Sequence, residues 1–312
     1  MKFLELHTLN TEVENEPGVF IDKAENNYHD EIKNVADNIL NREHHLPIIL
    51  ISGPSGSAKT TTALRLGTML EQAGRVVHPV SMDNYFRPIG DPGNEVDEDG
   101  RVDLESPKRL DMDLLNEHFT MLARGEEIHV PYFIFSRQKR SSTQFTRLRL
   151  EKNEVAIFEG IHAMNDAITD RHPEAFKLYI SASSQFAFGG KITFLRTWLR
   201  LVRRIVRDDM FRGASAEETI SMWGDVLRGE ILYIDPFKYK SDHHIDTALP
   251  YEVSVMKKIA LPLLENLPVG VAREDELHEM LSAFRSFESL DASYVPKDSM
   301  LREFIGGGIY QY

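Results

Sequence analysis

Apolar residues gather in short continuous runs at 47–52, 75–82, 155–158, 177–181 and 244–246. Between them, near 60–72, 113–123, 194–209 and 216–228, apolar positions recur every three to four residues. Unbroken runs are what strands covered on both faces require, and the intervening helices supply the covers. The pattern predicts an α/β fold with a parallel sheet flanked by helices. Residues 127–135 and 146–150 break the rhythm and read as a β-hairpin inserted at 126–150. In the acidic stretch 1–46, Tyr28, Ile32, Val35 and Ile39 share one helix face, which predicts a helix packed beside the main domain. Leu277, Met280, Leu281 and Phe284 mark a further amphipathic helix. The expected organisation is a helical N-terminal extension (1–46), a core (47–265) and a C-terminal extension (266–312) ending in Gly306, Gly307 and Gly308. The residues of that tail suggest no chemistry. Residues 91–103, rich in Gly, Asp and Glu, read as a mobile loop.

Composition narrows the class. The 312 residues are 42% hydrophobic and 27% charged, which supports a full core and excludes fibrous and disordered readings. With 36 Lys and Arg against 49 Asp and Glu, the net charge of −13 argues against nucleic acid or an anionic membrane as partner. There is no cysteine, so disulfides, thiolate metal sites and Cys nucleophiles are excluded, and a reducing cytoplasm is the expected location. The longest apolar run, 46–51, is too short to cross a bilayer. Glu5 interrupts Phe3-Leu4, so no signal-peptide core is expected. The pairs His44-His45 and His243-His244 would diverge on a strand and do not read as zinc ligands.

The sharpest motif is Gly53-Pro54-Ser55-Gly56-Ser57-Ala58-Lys59-Thr60, directly after an apolar run and before a helix. A loop of so little bulk lets its N–H groups and the helix N-terminus surround a polyphosphate, with Lys59 on the terminal phosphates and the Thr60 hydroxyl on Mg²⁺. The expected class is thus a P-loop NTPase-type sheet. Ala58 stands where the motif has Gly, and the loop is expected to survive only if that position has ordinary dihedrals.

Two acids end predicted strands, Asp83 and Glu159, the address where ligands of open parallel sheets sit. A kinase needs one carboxylate to accept the acceptor hydroxyl's proton and another acid to hold Mg²⁺. Arg196, Arg200, Arg203, Arg204, Arg207 and Arg212 stand near only Asp208 and Asp209, and Leu195, Leu199, Val202 and Val206 take another face of the same helix. Six guanidiniums with so few acids beside them point to an arginine-rich lid over phosphates, at 194–213. Trp198 and Trp223 read as core, and His162 as structural at least as readily as functional.

These residues, in order, resemble the uridine kinase and phosphoribulokinase family of P-loop small-molecule kinases, most closely a bacterial uridine kinase-like branch. The resemblance spans about 47–265. It rests on 53–62, on Ser81-Met82-Asp83-Asn84-Tyr85-Phe86, Asp103-Leu104-Glu105-Ser106-Pro107, Val130-Pro131-Tyr132-Phe133-Ile134-Phe135, Glu159-Gly160-Ile161-His162 and the arginine series, and 300–307 resembles that branch's C-terminus. It implies Asp83 as general base, also near Mg²⁺, and Gly53, Ser55, Gly56, Ser57, Ala58, Lys59, Thr60 and Thr61 around ATP. Thr60 and Glu159 would hold the metal, and Glu105 the ribose hydroxyls. Tyr85 and Phe133 would line the acceptor, with Phe133 where relatives carry a Tyr against the base, while Ser136-Arg137-Gln138 replaces a His-bearing loop. Among the lid arginines, Arg200 and Arg203 are expected toward the acceptor, and Arg207 and Arg212 toward ATP, with Lys59 and Arg207 joining Asp83 as catalytic residues. A homo-oligomer is implied by resemblance alone.

The leading expectation is a Mg·ATP-dependent kinase acting on the 5′-hydroxyl of a nucleoside, uridine or cytidine first. A phosphoribulokinase-like kinase of another sugar or sugar phosphate keeps the same fold. A nucleotide-binding regulatory protein without turnover is the alternative of a different class.

Overall fold

The computed structural model describes residues 3–42, 47–96 and 100–311. His44-His45 and the centre of the loop expected at 91–103 lie outside the described residues. A short strand β1 (Phe3–Glu5) leads into helices α1 (Leu6–Asn15) and α2 (Pro17–Leu40). Strand β2 (Ile48–Ser52), helix α3 (Lys59–Gln72) and strand β3 (Val76–Ser81) follow. Next come α4 (Met112–Ala123), a hairpin of β4 (Ile128–Ile134) and β5 (Lys139–Leu148), then β6 (Glu154–Glu159), α5 (Asp166–Thr169) and β7 (Phe176–Ser181). Strands β8 (Gln185–Phe188) and β9 (Lys191–Phe194) precede α6 (Arg196–Arg207), a π-helical turn (Asp208–Arg212) and α7 (Ala216–Tyr233). The chain closes with β10 (His243–Asp246), α8 (Glu252–Glu265), α9 (Glu274–Arg285) and α10 (Arg302–Ile305).

Five strands form one parallel sheet in the order β10-β7-β2-β6-β3. Every residue of β2 is buried, as its unbroken Ile-Ile-Leu-Ile run requires of a central strand. Pro79 lies on β3, an edge strand, where a missing N–H costs no ladder bond. Register sets Ser81 beside Glu159 and Ser52 beside Tyr179, so the ends of β2, β3, β6 and β7 open on one rim. The hairpin is antiparallel, with a bulge between Pro131 and Phe133. Its second strand starts at Lys139, earlier than the pattern at 146–150 suggested.

A second sheet, β1-β8-β9, was not legible in the hydrophobic pattern. It places Phe186 and Phe194 edge-on to Phe287 and, for Phe194, also to Phe284. Residues 191–194 are therefore strand rather than the start of the arginine helix. Both extensions join the main core: Ile21, Ile32 and Val35 of α2, Met280 and Phe284 of α9, and Met300, Leu301 and Phe304 of the tail are fully buried with Ile49, Ile51 and Leu178. Tyr28 is bonded to Thr62 of α3 at 2.6 Å, and Tyr251 donates to Glu25 and meets Ser299 at 3.1 Å. The tail thus ends beside the loop that leads into α3.

Candidate active site

The loop between β2 and α3 owes its shape to three positions. A Cβ at Gly53 would stand 1.9 Å from the Ile180 carbonyl oxygen, so only glycine lets the loop leave the sheet here. Gly56 has φ +76°, and a Cβ there would meet the Arg200 carbonyl oxygen at 2.9 Å. Ala58 has φ 65° and ψ 36°, the left-handed region. The expectation of ordinary dihedrals at Ala58 is corrected: the loop forms with an L-residue in a conformation that costs it roughly 1–2 kcal/mol. As the N-cap of α3, Ala58 offers no side-chain acceptor to the open N–H groups of the first turn.

Support comes from behind. Arg203, fully buried, makes a bidentate pair with Glu252 at 2.7 and 2.8 Å and donates to the Gly56 carbonyl at 3.0 Å and the Thr247 carbonyl at 2.7 Å. Arg200, also buried, pairs with Glu230 and donates to the Ser55 carbonyl at 3.4 Å. Both arginines were expected to reach the acceptor. They brace the loop instead, because acids from α7 and α8, distant in sequence, neutralise them. Trp198 and Trp223 are core, as read.

The arginines that face the cleft are others. Arg204 donates to the Ser55 hydroxyl at 3.2 Å. The buried Asp208 receives Arg204 at 3.2 Å, Arg207 at 3.5 Å and Arg212 at 3.4 Å. A widened turn after Arg207 thus gathers three guanidiniums on one carboxylate, a local distortion of the kind that recurs at functional sites.

Across from them stand the two strand-end acids. Burial raises Asp83 above the usual carboxylate range, against the pull of Lys59, Arg212 and Arg207. Glu159 is pushed up to about 7 by burial and by the neighbouring Asp83, with Lys59 and the Ser81 hydroxyl opposing. Burial lowers Lys59, whose ammonium donates to the Pro54 carbonyl at 3.2 Å, and Glu159 and Asp83 restore part of its basicity. Lys59, Asp83, Glu159, Arg207 and Arg212 therefore share one electrostatic neighbourhood. Thr60 is half-buried at the second position of α3.

Glu105 belongs to the same electrostatic neighbourhood, pushed up to about 7 by burial, with Arg204 and Lys59 among the cations that oppose the shift. Gly229 of α7 leaves room for it, since a Cβ there would come within 2.4 Å of the Glu105 Cβ. Its loop is anchored by Asp103, which accepts from Arg228 at 2.9 Å and from Tyr233 at 3.1 Å. Burial pushes His162 down to about 4, so it is neutral; it lies edge-on to Tyr233.

Two expected contacts are corrected, and a third residue, Thr61, is held by the tail in this structure. Tyr85 is fully buried, its hydroxyl 2.8 Å from His118 Nδ1, and belongs to the core. Phe133 is buried edge-on between Phe86 and Phe135 rather than open to an acceptor. Thr61 is buried and directs its hydroxyl at 2.6 Å, and its N–H at 3.3 Å, to Glu303 of the tail. Arg204, Asp208 and Glu303 were not singled out from sequence. Arg204 stood in the arginine series, Asp208 beside it and Glu303 in the resembling segment 300–307, but none was given a role of its own.

The residues fit a nucleotide and a magnesium ion. The loop is shaped by positive φ at 56 and 58 and by a glycine that no side chain could replace, with Lys59 at its end and Arg204, one of three arginines gathered on Asp208, on the Ser55 hydroxyl. No group of three or more His, Asp or Glu side chains among the described residues would make a protein-only metal cage. Mg²⁺ needs none, since one or two carboxylates and the substrate's phosphates commonly suffice.

A parallel sheet whose central strand feeds a phosphate loop, with carboxylates on the adjoining strand ends, defines the P-loop kinase class. Comparison narrows this further: residues 48–253 match the phosphoribulokinase / uridine kinase family, and the chain belongs to it. Uridine kinase of Borreliella burgdorferi (strain ZS7) is 28% identical over 196 residues, 62% of this chain and 84% of that protein. Uridine kinase of Staphylococcus haemolyticus is 29% identical over 197 residues, with the same coverage. A candidate fructose transport system kinase of Silicibacter sp. TM1040 shares the fold with a TM-score of 0.51 at 15% identity, over 69% of this chain and 98% of that one. Among the described residues no helix is long and apolar enough to cross a membrane.

Proposed function

We propose that the protein transfers the γ-phosphoryl group of ATP to a hydroxyl of a small-molecule acceptor, a nucleoside first, at its 5′ position, with uridine or cytidine as the leading candidates. The observation that carries this reading is the placement of Asp83 and Glu159 within electrostatic reach of Lys59. The phosphate loop and Lys59 hold the donor's phosphates. Asp83 accepts the acceptor's proton as its oxygen attacks the γ-phosphorus and the bond to the β–γ bridging oxygen breaks, releasing ADP. Thr60, Glu159 and Asp83 would hold Mg²⁺, which would supply charge neutralisation on the phosphates. Arg207 and Arg212 add to it, and Glu105 accepts hydrogen bonds from acceptor hydroxyls. The similarity to bacterial uridine kinases favours uridine as acceptor.

One observation favours a second acceptor class. Tyr85 and Phe133, the aromatic residues expected toward a base, are both buried, while Glu105 and Arg204 stand together near Lys59. A sugar or sugar phosphate would need those polar groups and no aromatic wall. A panel of nucleosides, pentoses and sugar phosphates with Mg·ATP, read by product mass, separates the two. A phosphorylated nucleoside supports the first reading, a phosphorylated sugar alone the second, and no acceptor-dependent ADP release contradicts both.

A further inference from the structure

The tail that follows α9 carries a carboxylate into the phosphate loop. Glu303 accepts from the Thr61 N–H at 3.3 Å and the Thr61 hydroxyl at 2.6 Å, inside the first turn of α3, and pairs with Arg207 at 3.4 Å. It is only 6% exposed, and it acts electrostatically on both Lys59 and Glu159. The open N–H groups at the start of α3 and the Arg207 guanidinium are the groups a phosphate chain would use. One protein carboxylate engages both. Its segment is seated firmly: Phe304 lies under Arg203 at 5.1 Å and Arg207 at 5.7 Å. Gly306, with φ +74°, turns the chain against Phe211 of the π-helical turn. Glu303 lies outside the family match at 48–253.

A full carboxylate and a polyphosphate cannot share these donors at contact distance without strong like-charge repulsion. A purely structural carboxylate would cap α3, which has no side-chain cap of its own. That role alone leaves unexplained why the same carboxylate also holds Arg207, one of the guanidiniums that act on Asp83. We propose that the C-terminal segment 299–305 gates the donor site: Glu303 is a resident anion, and a nucleoside triphosphate takes over Thr61 and Arg207 as Glu303 leaves. The proposal rests on the donor-site reading above.

The test uses the full chain and Mg²⁺ with a non-hydrolysable ATP analogue. Titration calorimetry on wild type and Glu303→Gln gives the dissociation constants. The glutamine keeps a hydrogen-bond acceptor for Thr61 and removes the charge, so the gate predicts about tenfold tighter binding. Equal or weaker binding by the variant overturns the gate and leaves the donor site standing. No saturable uptake by either protein overturns the donor-site reading and the gate with it. Should Glu303→Gln fail to fold, amide hydrogen exchange of the wild type decides. Saturation with the analogue should lower protection across 300–306 at least several-fold, and unchanged or increased protection contradicts the gate.

Discussion

Arg203 and Glu252 form a bidentate pair in which neither side chain is exposed, and the same guanidinium holds the Gly56 carbonyl of the phosphate loop at 3.0 Å. An ion pair buried this completely is weak evidence of net stability, yet it is costly to break on one side. Its position behind the loop ties the geometry of an anion cradle to two helices, α6 and α8.

Arg203→Met should therefore destabilise by about 3–5 kcal/mol, since Glu252 is left buried and unpaired. Arg203→Met combined with Glu252→Gln should recover at least half of that loss. Chemical unfolding of the two variants checks it. A single variant as stable as wild type would show that the pair does not hold the loop.

Ala58→Gly should stabilise the protein. An alanine at φ 65° costs roughly 1–2 kcal/mol, and the greater freedom of glycine in the unfolded chain takes back about 0.5–1 kcal/mol. A gain of about 0.5–1 kcal/mol remains. Ala58→Val should lose stability, because a β-branched side chain tolerates that region least. Unfolding midpoints at matched slope decide, and a destabilised glycine variant would contradict the strain.

Glu105 sets a pH dependence with a definite sign. Burial raises it from 4.5 to about 7, so the fold penalises its charged form. Its protonation favours the folded state fully below about 4.5, and that contribution is lost as pH rises through about 7. Glu105→Gln removes the charge, so its stability relative to wild type should rise between pH 4.5 and 8, by on the order of 1–3 kcal/mol at the upper end. Parallel melting curves across that range measure it. A flat difference, or one growing toward acid, would contradict the shift.

Much of the fold was legible because it follows from local rules. Continuous apolar runs marked all five strands of the main sheet, and periodic stretches marked α3, α4, α6 and α7. The sheet of β1, β8 and β9 was not legible, since strands of three or four residues carry too little periodicity to read. Within the site, the motif around Lys59 and the strand-end acids were visible because backbone chemistry dictates them. The arginines misled for a physical reason. Counting nearby acids in sequence left Arg200 and Arg203 unpaired, whereas Glu230 and Glu252 reach them across the fold. Glu303 fell within the resemblance at 300–307, but no role could be read for it, because that role exists only once the tail is folded over α3.

Asp83 is the residue on which the proposed phosphoryl transfer turns. Turnover and nucleotide affinity should be measured on Asp83→Asn with the acceptor that the panel identifies. Turnover should fall by about 10²–10⁴, the range for loss of a general base, with binding of the Mg·ATP analogue retained. Turnover near the wild-type rate would remove Asp83 from the chemistry and contradict the account.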